Sequence, residues 1–201
     1  MNSTVSLIIK LVLGALVIFL GYKLYSIIQE PIQFEELKER RYDQVKNRLE
    51  QIREAQKTHR DVYNEFADDL DELIAFVDTG RKPLIERKDS SFMYYNETYQ
   101  KEMQKDTIIT TILGYERVKN NLFGADFDTD KLRYIPFSEE HEFMMEAGKI
   151  KVNDVVVPVF EAKAPDSLIF TGKLDKYSRY IDKDHALTVG SLVEPSLSGN
   201  W

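Results

Sequence analysis

The chain has 201 residues, with 27 Lys and Arg against 34 Asp and Glu, a formal net charge of −7 and no cysteine. Without cysteine there are no disulfides, no thiolate catalysis and no zinc–sulfur sites. The acidic balance leaves no basic face to neutralise phosphates, so nucleic acid is not an expected partner.

The first element is an apolar run. Residues 6–28 carry only two charges, Lys10 and Lys23. A bilayer core of about 30 Å needs about 20 mostly apolar helical residues. The two lysines are far enough apart to snorkel toward opposite interfaces, and Tyr22 and Tyr25 lie where aromatic side chains favour the headgroup region. The run is apolar all round rather than on one stripe, which argues against a buried helix of a soluble core. A cleaved signal peptide needs a basic start and a small-x-small site. Nothing basic precedes Lys10, and Tyr22, Lys23, Leu24 and Tyr25 follow the run. A retained single-pass anchor, in contact with the bilayer through residues 6–28, is expected.

Orientation has two readings. Lys23, Lys38, Arg40, Arg41 and Lys46 follow the span, and a plain positive-inside count puts the large domain in the cytoplasm. A short N-terminal tail before an uncleaved span is also how many bacterial periplasmic subunits begin, and a periplasmic head is the expectation adopted. Residues 30–201 hold 25 basic and 34 acidic side chains, a net of −9, which argues against the head lying flat on anionic lipid.

Pro31 is expected to end or kink the membrane helix, because it lacks a donor and its ring clashes with the preceding turn. Beyond it, Tyr42, Val45, Leu49, Ile52, Gln56, His59, Tyr63, Phe66, Leu70, Leu73 and Val77 recur at spacings of three and four. That is a heptad seam. Three readings are open: an amphipathic helix packed on its own domain, an intermolecular coiled coil with the seam as interface, or a helix split near its aromatic residues. In the split form, Asp68 or Asp69 caps a short second helix. Gln56 and His59 interrupt the seam. If buried, each needs a hydrogen-bond partner, and replacing both by leucine is expected to stabilise the helix while relaxing its register.

Asp78, Thr79 and Gly80 stop this helical region, and Pro83 follows. SFMYYNETY and DTIITTIL are read as strands, and GYERVKNNLFG as a short helix ended by Gly124. LRYIPF and HEFMMEAG are short strand candidates. KIKV and VVVPVFEAK flank Asn153-Asp154, a hairpin turn, and Pro158 places the second strand at an edge or a bulge. Residues 173–183 suit a short helix, ALTVGSLV a last strand, and the tail is expected to dock Trp201.

Catalytic and metal signatures fail on spacing. Asp126, Asp128 and Asp130 resemble the start of a calcium loop, but Lys131 and Phe137 stand where glycine and glutamate are needed. SEEHE, with His141, lacks the second histidine of a zinc helix. His59 and His185 share no motif with it. Ser167, His185 and an aspartate form a triad only on paper, and there is neither a Gly-rich phosphate loop nor a nucleophile elbow. No catalytic residue, cofactor or metal is expected.

LRYIPF, FMMEAG, VPVFEAKAP and LTVGSLVEPSLSGNW, with Glu30-Pro31 past the span and the IREAQ stretch, resemble a family of small single-span envelope proteins common in Bacteroidota. The stretch IREAQKTHRDVYNEFADDLDELIAFV is loosely similar to the middle of bacterial pilins and pseudopilins, although the apolar segment has no prepilin cleavage site and no early glutamate. The first resemblance implies location and architecture, not chemistry, and an association with trans-envelope machinery such as ExbB–ExbD/TonB-type motors or secretion systems.

The expected fold is α+β: a transmembrane helix continuing into a long amphipathic, coiled-coil-like helix, then a small mixed head with antiparallel strands. The expected division is an anchor at 1–29, a helical stalk at 30–80 and a head at 81–201. The expected function is a non-enzymatic subunit or scaffold of an inner-membrane complex, with other subunits or a second copy of the chain as partners. The alternative is a membrane-anchored sensor or binding module for a small ligand or peptide.

Overall fold

A computed structural model describes residues 3–201, with side chains described from residue 7 onward. The fold is α+β, as expected. In chain order, helix α1 (Ser3–Tyr63) and helix α2 (Leu70–Thr79) are followed by strands β1 (Arg81–Asn96) and β2 (Lys101–Arg117). A one-turn helix α3 (Val118–Leu122) and a 3-10 turn (Thr129–Leu132) lead to β3 (Met144–Val152) and β4 (Val155–Pro165). Short helices α4 (Asp166–Ile169) and α5 (Leu174–Tyr177) precede β5 (Ala186–Gly190). β1 and β2 form a two-stranded sheet, and β3, β4 and β5 a three-stranded one in that order.

The helix does not end at Pro31, which lies inside α1. The missing N–H forfeits a single hydrogen bond, to the carbonyl one turn earlier, and a long cooperative helix absorbs that loss. The N-terminal part of α1 is long and apolar enough to cross a membrane, and none of its most apolar window is buried within the chain.

The chain forms two compact units, and neither is a single stretch of sequence. The first comprises Met1–Asn47, Ile135–His141 and Ala164–Leu187. Its core is aromatic: Phe34 lies with ring centroids 5.4 Å from Phe170, 5.3 Å from Tyr177 and 5.5 Å from Tyr180. Arg41 is buried beside it. Its guanidinium donates to the carbonyls of Ile169 and Thr171 and sits over the Phe137 and Phe170 rings. Burial, then the adjacent Arg40 charge, lowers the Arg41 pKa from its ordinary value.

The second unit comprises Arg48–Tyr134, Glu142–Lys163 and Thr188–Trp201. Leu49, Ile52, Phe66, Leu73, Val77, Val118, Leu132, Phe160 and Val189 are buried in its core. The hairpin turn at Asn153 and Asp154 is present, with φ of 47° and 66°. Left-handed values at both turn residues match the twist of the flanking strands. Pro158 pairs with Lys149 of β3. Gly190 (φ +78°) lies against the carbonyl of Phe160, where a Cβ would come within 2.3 Å of the oxygen. The tail returns to β5: Val189 bridges Gly199, and the Asn200 N–H donates to the Thr188 carbonyl. The Trp201 ring lies over Gly199 of the same tail and is exposed, so the expected docking is not seen.

Several local expectations fall short. LRYIPF is not a strand; only Tyr134 bridges, to Glu142. HEFMMEAG becomes a strand only from Met144. GYERVKNNLFG is strand up to Arg117 and helix only over Val118–Leu122, because its first residues continue the pairing of β2 with β1. Residues 173–183 contain one helical turn, Leu174–Tyr177.

Candidate functional site

Val45, Leu49, Ile52, Gln56 and His59 are buried within the chain, and Tyr42 is half-buried. The seam is not one continuous helix. α1 stops at Tyr63, which is exposed, and Asn64 takes a positive φ of 62°. Phe66 then sits in a loop, buried with its ring 4.8 Å from Phe160, before Leu70, Leu73 and Val77 resume on α2. Of the three readings, the split helix is the one observed. Asp69 is the N-cap, accepting the Glu72 N–H at 2.8 Å, while the Glu72 carboxylate accepts the Asp68 N–H at 2.8 Å. Acidic Asp71 and Glu72 occupy the first turn, where the helix dipole favours them.

The two polar seam residues hold the break. The Gln56 amide donates to the Ala67 carbonyl at 2.9 Å and accepts the Ala67 N–H at 2.8 Å. His59 Nδ1 meets the Glu65 carbonyl at 2.7 Å. A side-chain amide thus satisfies both backbone groups of a fully buried loop residue. The expectation that leucine at these positions stabilises the helix reverses, because leucine would strand those groups.

Two arrangements were not read from the sequence. In the first unit, the Tyr42 hydroxyl donates to Asp166 Oδ2 at 2.6 Å, and His185 Nδ1 lies 3.2 Å from the same oxygen. Asp166 is buried, and its Oδ1 has no hydrogen-bond partner among the described residues. Burial first, then the bond and charge of Asp166, push the Tyr42 pKa well above its ordinary value. Such a cluster can hold or relay a proton, and it joins residues more than 120 positions apart. Ser167, the third member of the paper triad, makes no hydrogen bond to His185 among the described residues.

The second is the β1–β2 ribbon. Its strands of 16 and 17 residues span roughly 50 Å at about 3.3 Å per residue. It pairs in register from Arg81↔Arg117 to Asn96↔Lys101, with a bulge between Leu84 and Ile85. Paired residues share a face. Ile85, Met93, Tyr95, Ile108 and Ile112 fall on one face, and Phe92, Tyr94, Met103 and Ile109 on the other. Of these, all but Tyr94 and Met103 are exposed. Two strands alone are marginally stable in water, and a long exposed apolar edge is a template for pairing.

A third feature is an open pocket of about 460 Å³ at the helix break, lined by His59, Tyr63, Glu65, Phe66, Asp68, Glu72, Ala75, Phe76 and Thr79. Among the described residues no His, Asp and Glu side chains converge as a metal ligand set, at Asp126, Asp128 and Asp130 or elsewhere. Comparison with protein-family models, with curated proteins and with solved structures finds no match.

Proposed function

We propose that this chain is a non-enzymatic, membrane-anchored subunit of a bacterial envelope complex, with the β1–β2 ribbon as its docking arm. The observation that carries this reading is the ribbon. It presents apolar side chains on both faces along its length, and among the described residues most of them are left exposed. A partner strand or groove would complete the sheet and bury those side chains, as in β-strand addition. The apolar N-terminal part of α1 supports an anchor. The resemblance to Bacteroidota envelope proteins supports the inner membrane, a periplasmic head and association with trans-envelope machinery of the motor or secretion type.

The test is made in cells. Photo-crosslinking residues placed at Met93 or Tyr95, on the same face of the ribbon, should yield adducts with one defined membrane-complex subunit, and adding Ile108→Asp with Ile112→Asp should abolish them while the protein stays folded and membrane-bound. An unchanged native complex in the double variant would sink the docking role. Alkaline phosphatase and a cytoplasmic fluorescent reporter, fused separately after Trp201, read the side of the membrane. A fluorescent fusion with an inactive phosphatase would reverse the orientation.

A further inference from the structure

We propose that the pocket at the helix break binds an organic cation bearing N–H groups, of the lysine or arginine side-chain class, held between His59 and Glu72. This is independent of the ribbon and rests on the hydrogen-bond inventory of the pocket.

His59 is the starting point. Its Nδ1 lies 2.7 Å from the Glu65 carbonyl. A carbonyl only accepts, so Nδ1 carries the hydrogen, and in the uncharged form of the ring Nε2 is an acceptor. The side chain is only 6% exposed, and Nε2 lies 3.9 Å from Glu72 Oε1. That is beyond hydrogen-bond reach, and both atoms are acceptors. Glu72 is not free to swing away, because its other oxygen holds the Asp68 N–H at 2.8 Å as part of the α2 cap. Two fixed acceptors thus face one another, with no donor from a side chain of the described residues between them. A group with two or more N–H bonds and a positive charge completes the arrangement with charge-assisted hydrogen bonds.

The walls suit the same ligand. The Tyr63 and Phe76 rings stand 5.6 Å apart at 65°, and each lies 4.8 Å from the His59 ring. Aromatic faces attract ammonium and guanidinium groups, most strongly where the site is partly desolvated. Of the remaining charges, Asp68 is exposed at the rim, Glu65 is paired with Lys149 at 2.9 Å, and Arg60 sits over the Phe66 ring. The volume, about 460 Å³, admits such a side chain together with the piece of peptide that carries it.

The experiment uses the full chain in neutral detergent, with ring-labelled histidine. The His59 resonances are followed by NMR during titration with n-butylammonium, ethylguanidinium and, as a cation without N–H, tetramethylammonium. The expected result is a saturable shift with the first two in the millimolar range and binding of tetramethylammonium weaker by about tenfold or more. Glu72→Gln keeps the cap, since glutamine serves at that position, and should weaken butylammonium by about tenfold with the melting temperature held. His59→Phe, read through the Tyr63 ring, should do the same. Equal affinity for tetramethylammonium, unchanged affinity in a folded Glu72→Gln protein, or no saturable shift with either N–H cation would each overturn the assignment.

Discussion

Gln56→Leu is the most direct perturbation of the helix break. Gln56 and Ala67 are both fully buried, and two hydrogen bonds of 2.9 and 2.8 Å join the amide to the Ala67 backbone. Leucine fits the volume but leaves one N–H and one carbonyl without partners. Each stranded group costs about 1–3 kcal/mol, and the added apolar burial returns about 1–2 kcal/mol. The net loss is therefore about 0–5 kcal/mol, with a mid-range of about 2–3 kcal/mol, a sizeable share of the about 5–15 kcal/mol that holds a domain. Urea unfolding of the full chain in detergent, followed by circular dichroism, should show a lower midpoint. Hydrogen exchange should show the Ala67 amide opening faster than in the parent. Gln56→Glu, which keeps the acceptor and loses the donor, should retain protection at that amide but not the full midpoint. A Gln56→Leu protein with an unchanged midpoint and a protected Ala67 N–H would refute the argument, and the break would then be held by His59 and Phe66.

Three further outcomes are expected. Gly190→Ala places a Cβ within 2.3 Å of the Phe160 carbonyl oxygen at a φ of +78°, and should cost at least about 2 kcal/mol, read as a lower melting temperature. Arg133 joins Asp71 and Glu142; those carboxylates, the Asp71 hydrogen bond first, raise its pKa. Both acids are exposed, so Arg133→Ala should cost under about 1 kcal/mol, and the cost should shrink in high salt. The raised Tyr42 pKa means that the folded state holds a proton that the unfolded chain releases near pH 10. Stability from this group is therefore full below about pH 10 and falls as pH rises beyond it. Alkaline melts of Tyr42→Phe should lose this part of the decline, and parent and variant declining in parallel would show that Tyr42 is not shielded.

The parts of the fold that were legible in the sequence were those written in local chemistry. The anchor is a composition signal over one turn after another. The α2 cap was legible as Asp68 or Asp69, of which Asp69 is the one used, and the β3–β4 turn as Asn153-Asp154. The seam misled because its period continues by coincidence through a segment that is not helical: Phe66 keeps the spacing while lying in a loop. The ribbon was underestimated because RKPLIERKDS is charged and does not alternate, and its strand geometry comes from pairing with β2 rather than from its own pattern. The Tyr42, Asp166 and His185 cluster could not be read at all. Its members lie on α1, at the start of α4 and just before β5, and only the tertiary fold brings them together.

The interleaving of the two units bears on how the chain is made. The first unit needs Ala164–Leu187 to complete what Met1–Asn47 begins, and the second needs Thr188–Trp201. At a synthesis rate of about 5–20 residues per second, the apolar N-terminal part of α1 is made roughly 10–30 s before the last pieces of either unit. During that interval Phe34 lacks the Phe170, Tyr177 and Tyr180 rings that surround it in the finished chain. Such long-range closure also makes for slow folding. A nascent chain arrested before residue 164 should therefore be protease-sensitive beyond the membrane and should recruit chaperones, whereas release of the finished chain should confer resistance in one late step.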